Sequence, residues 1–210
     1  MHTLALLFAL TACNTPTDAA PEMTPAAAVP EAAPAAPAAP ALPALPEGNS
    51  RALIAEGSSL SFVGAKITAK HEGGFKNIEG TAVTTDAGVV GAKLIVSTQS
   101  TWADHPKLEE HLKNADFFDT EKFPVATFVG NKVTEGGKMG ATHTIEGMLD
   151  FHGKVAPLSF PVTITQEEGQ PIHVVGNTLV NRHDWGVSYP GMPDNLIKDA
   201  VQVSLDLKFQ

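Results

Sequence analysis

The fold is decided most clearly by the stretch Val201-Gln202-Val203-Ser204-Leu205-Asp206-Leu207-Lys208-Phe209. Every odd-numbered residue in it is apolar, and every even-numbered residue is polar. Successive side chains of a β-strand point to opposite faces, so this alternation predicts a strand with one buried face and one face in water. Strands of this kind are typical of antiparallel sheets, because parallel sheets are covered on both faces.

Other β-rich segments precede this strand along the chain. They cover residues 60–67, 89–98, 125–133, 142–151, 158–165 and 172–181. Breaks at Gly73-Gly74 and Asp86-Ala87-Gly88 separate the first of them, and Glu135-Gly136-Gly137-Lys138 is a predicted hairpin turn. The pattern predicts an all-β domain, either a sandwich or a closed antiparallel up-and-down barrel. A barrel of about eight strands has room for one small ligand.

One short inserted helix is predicted over residues 104–115. Asp104 is the expected N-cap, and Pro106 suits the first turn. Leu108, Leu112 and Ala115 recur at helical spacing, so one face of this helix is expected to pack against the strands.

The N-terminus has the pattern of an exported, lipid-anchored protein. An apolar run at residues 4–10, too short to span a bilayer as a helix, indicates a signal peptide over residues 1–12. Met1-His2-Thr3 departs from the usual signal pattern, because it contains no Lys or Arg. Leu10-Thr11-Ala12-Cys13 resembles the lipobox of bacterial lipoproteins, whose cysteine carries several acyl chains and anchors the protein durably. The resemblance implies a membrane anchor at Cys13, and Asn14 favours the outer membrane, with the protein facing the periplasm.

Composition divides the rest of the chain at about residue 49. Residues 13–49 are rich in Ala and Pro and predict a disordered spacer, whereas residues 50–210 have the length of one domain. Four acidic residues lie in the spacer, so the domain keeps −5 of the formal charge of −9, which argues against nucleic acid as a partner. Cys13 is the only cysteine, so the domain has no disulfide, no thiolate nucleophile and no Cys-ligated metal site.

Three segments of the domain together resemble the YceI-like family of polyisoprenoid-binding proteins. The first is the predicted helix with the Phe117-Phe118-Asp119 and Phe123-Pro124 motifs after it. The second runs from Ile145-Glu146-Gly147 to Phe151-His152-Gly153-Lys154, and the third is Asn181-Arg182-His183-Asp184-Trp185-Gly186-Val187. The resemblance implies a lipocalin-like antiparallel barrel around an apolar channel. It also implies a carrier of an isoprenoid or other long-chain lipid, without a cofactor, rather than an enzyme.

The aromatic residues fit either a packed core or the wall of such a channel. The candidate channel residues are Phe62, Phe117, Phe118, Phe123, Phe128, Phe151 and Phe160, with Trp185 and Tyr189 near the mouth. A ring with a polar edge suits a wet boundary, which is why the last two are placed there. Arg182 and Asp184 would either contact the ligand headgroup or form a structural salt bridge.

Two other functions compete with lipid binding. Several histidines lie near aspartates, as in His183-Asp184, and a metal-dependent hydrolase would use such groups. Their spacing is poor for chelation, since His105 and His111 would point about 120° apart on the predicted helix. The other competitor is an envelope interaction module that binds no small ligand. No catalytic residue and no metal site is predicted.

Overall fold

The computed structural model describes residues 40–210 of the chain. This part contains twelve β-strands and one α-helix. The strands are β1 (Asn49–Ala65), β2 (Lys70–Phe75), β3 (Ile78–Thr85), β4 (Gly88–Ser97), β5 (Thr101–Ala103), β6 (Val125–Glu135), β7 (His143–Phe151), β8 (Lys154–Thr165), β9 (Ile172–Asn181), β10 (Gly191–Met192), β11 (Asn195–Leu196) and β12 (Ala200–Phe209). The helix is α1 (Pro106–Lys113). The strand predicted from alternation at residues 201–209 is confirmed as β12. The sequence pattern did not indicate β2, β3 or the short strands β5, β10 and β11.

Eight of the strands close into one antiparallel barrel. Their order is β1-β3-β4-β6-β7-β8-β9-β12, and β12 pairs back with β1. Because neighbours in the barrel follow one another along the chain, the topology is up-and-down. The predicted barrel with one short inserted helix is therefore confirmed, and the sandwich is excluded.

The first strand changes its partner halfway along its length. Its residues 49–52 pair with β3, whereas its residues 60–65 pair with β2. The register against β12 shifts between Ile54 and Ser59, so the extra residues form a bulge at this change. Strands β2 and β5 extend the sheet beyond the barrel at one end.

The predicted break at Gly73-Gly74 is wrong, because both glycines lie inside β2. A Cβ atom at Gly74 would lie 2.6 Å from the Leu60 carbonyl oxygen and 2.8 Å from Nε1 of Trp102. These glycines therefore allow the neighbouring strand and the indole to approach the backbone closely, rather than marking a turn.

The helix begins two residues later and ends two residues earlier than predicted, and it has a different cap. His105 is the N-cap, and its Nδ1 accepts a hydrogen bond of 3.3 Å from the backbone N–H of Lys107. Asp104 instead accepts a hydrogen bond from the Glu72 N–H at 3.1 Å and contacts His71 Nδ1 at 3.1 Å. The carboxylate thus ties the segment before the helix to β2. Residues 104–124, which contain α1 and the loop after it, are called the lid below.

A second irregular segment, residues 186–199, is called the flap and contains the short β10–β11 hairpin. It is fastened to the end of β1, since Lys198 N donates to the Ala65 carbonyl oxygen at 2.8 Å and Lys66 pairs with Ile197. Leu112 and Phe117 of the lid and Val187 of the flap form one buried cluster. Lid and flap therefore cover the same end of the barrel.

The chain joins the barrel earlier than composition suggests. Residues 40–48 belong to the predicted spacer, yet Pro46 lies against Gly91 of β4, with its Cδ 2.6 Å from the position a Cβ would take there. Leu42, Pro43 and Leu45 are half-buried. The signal peptide over residues 1–12, Cys13 and the spacer up to residue 39 lie outside the described residues. No helix within residues 40–210 is long and apolar enough to span a membrane.

Candidate functional site

An elongated cavity of about 240 Å³ lies inside the barrel. Its wall includes the whole inward face of β12, where the odd-numbered residues from Val201 to Phe209 all contribute. At about 3.3 Å per residue, this wall is on the order of 26 Å long. A small volume spread over such a length makes a narrow channel, which fits one extended hydrocarbon chain better than a broad ring system.

The chemistry of the wall is uniformly apolar. Its members are Leu60, Phe62, Gly64, Phe75, Ala82, Val89, Ala92, Leu94, Val96, Leu112, Phe117, Phe118, Ala126, Phe128, Ile145, Leu149, Phe151, Leu158, Phe160, Val162, Val174, Val180, Arg182, Trp185, Val187, Ile197, Val201, Val203, Leu205, Leu207 and Phe209. Apart from Gly64 and Arg182, every one has an apolar side chain. Such a wall favours hydrocarbon and offers a polar substrate almost nothing to bind.

Four phenylalanines meet inside this wall near the lid. Phe118 comes from the lid. Its ring centroid lies 5.9 Å from that of Phe62, 6.0 Å from that of Phe75 and 5.4 Å from that of Phe151. These distances are typical of aromatic pairs that stabilise each other beyond simple burial. The lid is therefore attached to the barrel through a side chain that also faces the cavity.

The opposite part of the barrel is more tightly filled. Val162, Ile172 and Phe209 are each 1% exposed or less. Phe62, Phe75 and Phe118 at the lid end are only partly buried. The cavity wall is therefore more accessible at the end of the barrel that the lid and flap cover.

Seven of the nine predicted aromatic channel residues line the cavity. They are Phe62, Phe117, Phe118, Phe128, Phe151, Phe160 and Trp185. The other two lie outside its wall. Phe123 packs edge-to-face against His152, with ring centroids 4.9 Å apart, and the ring centroid of Tyr189 lies 5.2 Å from that of Phe117.

The expected place of Trp185 at a wet mouth is wrong. Its side chain is buried, with 2% of the residue exposed, and Nε1 donates a hydrogen bond of 2.8 Å to the Leu149 carbonyl oxygen. The polar edge of the indole is thus satisfied by the end of β7 and not by water. Trp185 is part of the frame of the cavity.

Arg182 is the one charged residue in the wall, but its guanidinium is engaged by the protein itself. It donates to the carbonyl oxygens of Val187 at 2.8 Å, Lys198 at 3.2 Å and Ile197 at 3.4 Å. The carboxylate beside it belongs to Asp199, at 3.6 Å, so the expected salt bridge with the exposed Asp184 is wrong. Arg182 holds the flap in place, which makes the structural interpretation of this residue the better one.

Sequence reasoning missed the aliphatic half of the wall. Leu60, Leu94, Leu149 and Leu158 line the cavity alongside the phenylalanines. The signal was available on β12, because the apolar set predicted from its alternation is the set that lines the cavity. The predicted channel residues were all aromatic, so the aliphatic residues on the inward face of β12 were not among them.

The histidines of the alternative hydrolase site are dispersed over the surface. Four of them pair separately with aspartates, as His71–Asp104, His111–Asp116, His173–Asp206 and His183–Asp199, at 2.7 to 3.1 Å. Within the part of the chain described, no group of three or more His, Cys, Asp or Glu residues could hold a metal ion.

The pKa shifts that are resolved also belong to structural contacts. The Glu72 N–H, followed by the hydrogen bond with His71, holds the pKa of the Asp104 carboxyl below its usual value. The hydrogen bond from Lys113, helped by its positive charge, lowers the pKa of Glu109. Both carboxylates are then charged at neutral pH, and neither lines the cavity.

Comparison with known proteins identifies relatives of this barrel. A UPF0312 protein of Pseudomonas putida (strain GB-1) is 31% identical over 126 residues, which is 57% of this chain, and the chain spans 65% of that curated relative's length. A UPF0312 protein of Pseudomonas fluorescens (strain SBW25) is 32% identical over the same length and shares.

Two solved structures share the fold at low sequence identity. Burkholderia cenocepacia BcnA has a TM-score of 0.64 at 22% identity, over 74% of this chain and 98% of that one. A polyisoprenoid binding domain from Saccharophagus degradans, implicated in plant cell wall breakdown, has a TM-score of 0.62 at 18% identity, over 76% and 97%. The model of the YceI-like domain matches residues 52–209, which is nearly the whole barrel. The chain therefore belongs to the YceI-like family.

Proposed function

We propose that this chain is a membrane-tethered binding protein that sequesters or carries an isoprenoid-type or other long-chain amphipathic lipid inside its barrel. The observation that carries the proposal is the narrow apolar cavity along the length of β12. A hydrocarbon chain gains about 0.8 kcal/mol for each methylene-sized group that leaves water for such a wall. A long tail is therefore sufficient for affinity, without many polar contacts.

The distribution of polar groups favours binding over catalysis. Arg182 is the only ionisable residue in the wall, and its donors already bind backbone carbonyls. The paired histidines and aspartates lie outside the wall and are not brought together. The family and the name of the Saccharophagus degradans domain support an isoprenoid chain as the ligand.

The phenylalanines that line the cavity are the proposed contacts of the lipid tail. Phe118 is the most informative of them, because it joins the lid to three phenylalanines of the barrel. Phe123 lies in the same lid but outside the cavity wall. The two residues therefore make a matched pair for testing the site.

The test is native mass spectrometry of the chain purified from its own host, followed by organic extraction. Wild-type protein should carry one lipid per chain, and Phe118→Asp should carry little, because a carboxylate in an apolar cavity opposes a hydrocarbon tail. Phe123→Asp should keep the lipid. Circular dichroism checks that both variants remain folded. Extracts of wild-type protein without lipid, or equal lipid in folded Phe118→Asp and Phe123→Asp, would contradict the proposal.

The tether is proposed from the lipobox-like Leu10-Thr11-Ala12-Cys13, with the outer membrane, facing the periplasm, as the expected location. Cys13→Ser removes the thiol that would receive the lipid. The variant should move from the membrane fraction to the soluble periplasmic fraction, while lipid in the barrel remains. A variant that still fractionates with membranes to the same extent would contradict the tether without affecting the cavity.

A further inference from the structure

Exposed apolar side chains gather at the end of the barrel that the flap covers. Ile67 is 66% exposed, Met192 is 64% exposed and Leu196 is 47% exposed. Ile67 and Leu196 are called the docking surface below. Most large apolar residues of the described chain are buried or half-buried, so three prominent ones within adjoining loops require an explanation.

Backbone pairing brings Ile67 and Leu196 together. Lys66 pairs with Ile197 in an antiparallel bridge, which sets Ile67 opposite Leu196. The contact is reinforced by Thr68, whose Oγ1 donates to Asn195 Oδ1 at 3.1 Å. Met192 pairs with Asn195 in the β10–β11 hairpin, so it lies on the other face of that hairpin from Leu196 and is not part of the docking surface. The docking surface is therefore one patch built from the flap and the loop after β1.

This patch lies directly beside the cavity. Leu196 is exposed, whereas the next residue, Ile197, lines the cavity together with Gly64 and Val201 at the same end. The flap meets the lid through side chains, with Tyr189 5.1 Å from His111 and 5.2 Å from Phe117 between ring centroids. Within residues 40–210, no backbone hydrogen bond joins the lid to the flap. The contact between lid and flap is thus made by side-chain packing, without backbone hydrogen bonds to hold the two segments together.

Charges around the docking surface nearly cancel. The basic residues Lys66 and Lys198 and the acidic residues Asp194 and Asp199 occupy the same segments. A partner recognised by charge would need an excess of one sign. The surroundings therefore favour a neutral, apolar partner.

We propose that the docking surface inserts into the interfacial region of a lipid bilayer and that the lipid passes between lid and flap. This inference rests on the proposed function, because only a lipid carrier needs such an entrance. Each methylene-sized group that crosses water lowers the partitioning of a lipid about fourfold, so a long tail must pass directly from membrane to cavity. Residues 14–39, which separate Cys13 from the described chain, span at most about 90 Å when fully extended, which is ample for this end to reach the membrane.

The experiment compares two sources of the same lipid. The full chain carrying Cys13→Ser, which excludes the tether, is mixed with octaprenol either in phosphatidylcholine vesicles or in octyl glucoside solution. Lipid uptake is followed by native mass spectrometry, and vesicle binding by co-flotation. The test variant adds Ile67→Asp and Leu196→Asp. The control adds Met139→Asp, which removes an 86% exposed apolar residue from the β6–β7 turn at the other end of the barrel.

The test variant should take up octaprenol from vesicles at least about tenfold more slowly and lose most of its vesicle binding, since each buried apolar side chain contributes about tenfold to partitioning. Its uptake from detergent should match that of the control. Equal vesicle uptake by test and control variants would overturn the docking surface. Failure of the Cys13→Ser parent to take up octaprenol from either source would instead overturn the proposed function. If the test variant unfolds, Ile67→Ser with Leu196→Ser replaces it and is judged by the same readouts.

Discussion

Replacing Ala92 with phenylalanine is expected to exclude the lipid while leaving the barrel folded. Ala92 lines the cavity, and its neighbours in adjacent strands are Ala82 and Gly130. The wall is therefore made of the smallest side chains at this level, and the ring would project into space that a ligand chain would fill.

The expected loss of binding free energy follows from the volume that the phenylalanine ring occupies in the cavity. Phenylalanine at position 92 adds six carbon atoms to a cavity of about 240 Å³. If it displaces about four to six methylene-sized groups of the ligand, at about 0.8 kcal/mol each, the binding free energy falls by about 3 to 5 kcal/mol. The Kd should then rise by about two to four orders of magnitude. The Tm should not fall much, because the ring fills a void instead of overpacking a filled core.

The assay is a titration with octaprenol in octyl glucoside, followed by native mass spectrometry. Lys93→Phe is the matched control, since it places the same ring one residue along β4, on the outer face. It should bind like the wild type. Folded Ala92→Phe with a Kd within about twofold of the Lys93→Phe value would show that the lipid does not occupy the cavity. Ala126→Phe, which fills the cavity from β6, serves if Ala92→Phe does not fold.

Three further perturbations, two of them with matched controls, test the frame around the cavity. Arg182→Ala should lower the free energy of unfolding by about 3 to 5 kcal/mol in a guanidinium titration, because buried carbonyls lose their donor. Asp184→Ala should change the same free energy by less than about 0.5 kcal/mol, and equal losses in both variants would contradict the assigned role of the guanidinium. Gly74→Ala should lower the free energy of unfolding by about 1 to 3 kcal/mol, and with it the Tm, because the added methyl group overpacks against the neighbouring backbone. Gly64→Ala should leave the Tm unchanged, because its added Cβ meets nothing within 4 Å. Asp104→Asn should be destabilising at pH 7, because a backbone N–H of β2, and then the adjacent histidine, lower the pKa of this carboxyl. That stabilisation is present above the unfolded pKa of about 3.9 and is lost as the pH falls through the lowered folded value, so the stabilities of the two proteins should converge once the pH is below that folded value. A difference in stability that persists there would refute the electrostatic cause.

Features that depend on local alternation could be predicted from the sequence. The register of β12 determines which residues face inward, and the same parity appears as the cavity wall from Val201 to Phe209. The helix was also predicted within two residues, because its first turn carries Pro106 and its apolar residues recur at helical spacing.

Features that depend on distant partners could not be predicted. The N–H of Trp185 is satisfied by a carbonyl 36 residues away in the chain, so its chemistry alone suggested a wet boundary. Arg182 pairs with Asp199 and not with its near neighbour Asp184, because the turn at residues 182–185 is followed by a flap that folds back. The glycines of β2 likewise suggested a break, because the sequence does not show that Trp102 lies against them.

The pairing of β1 with β12 also determines when the cavity comes into existence. Leu53 pairs with Phe209, about 150 residues later in the chain, and proteins dominated by such distant pairings fold slowly. Until the last strand is in place, the inner face of the sheet is an open apolar surface with two unpaired edges. A completed barrel is thus a precondition for holding a lipid tail, so bound lipid would report that the whole chain, from its first strand to its last, has folded.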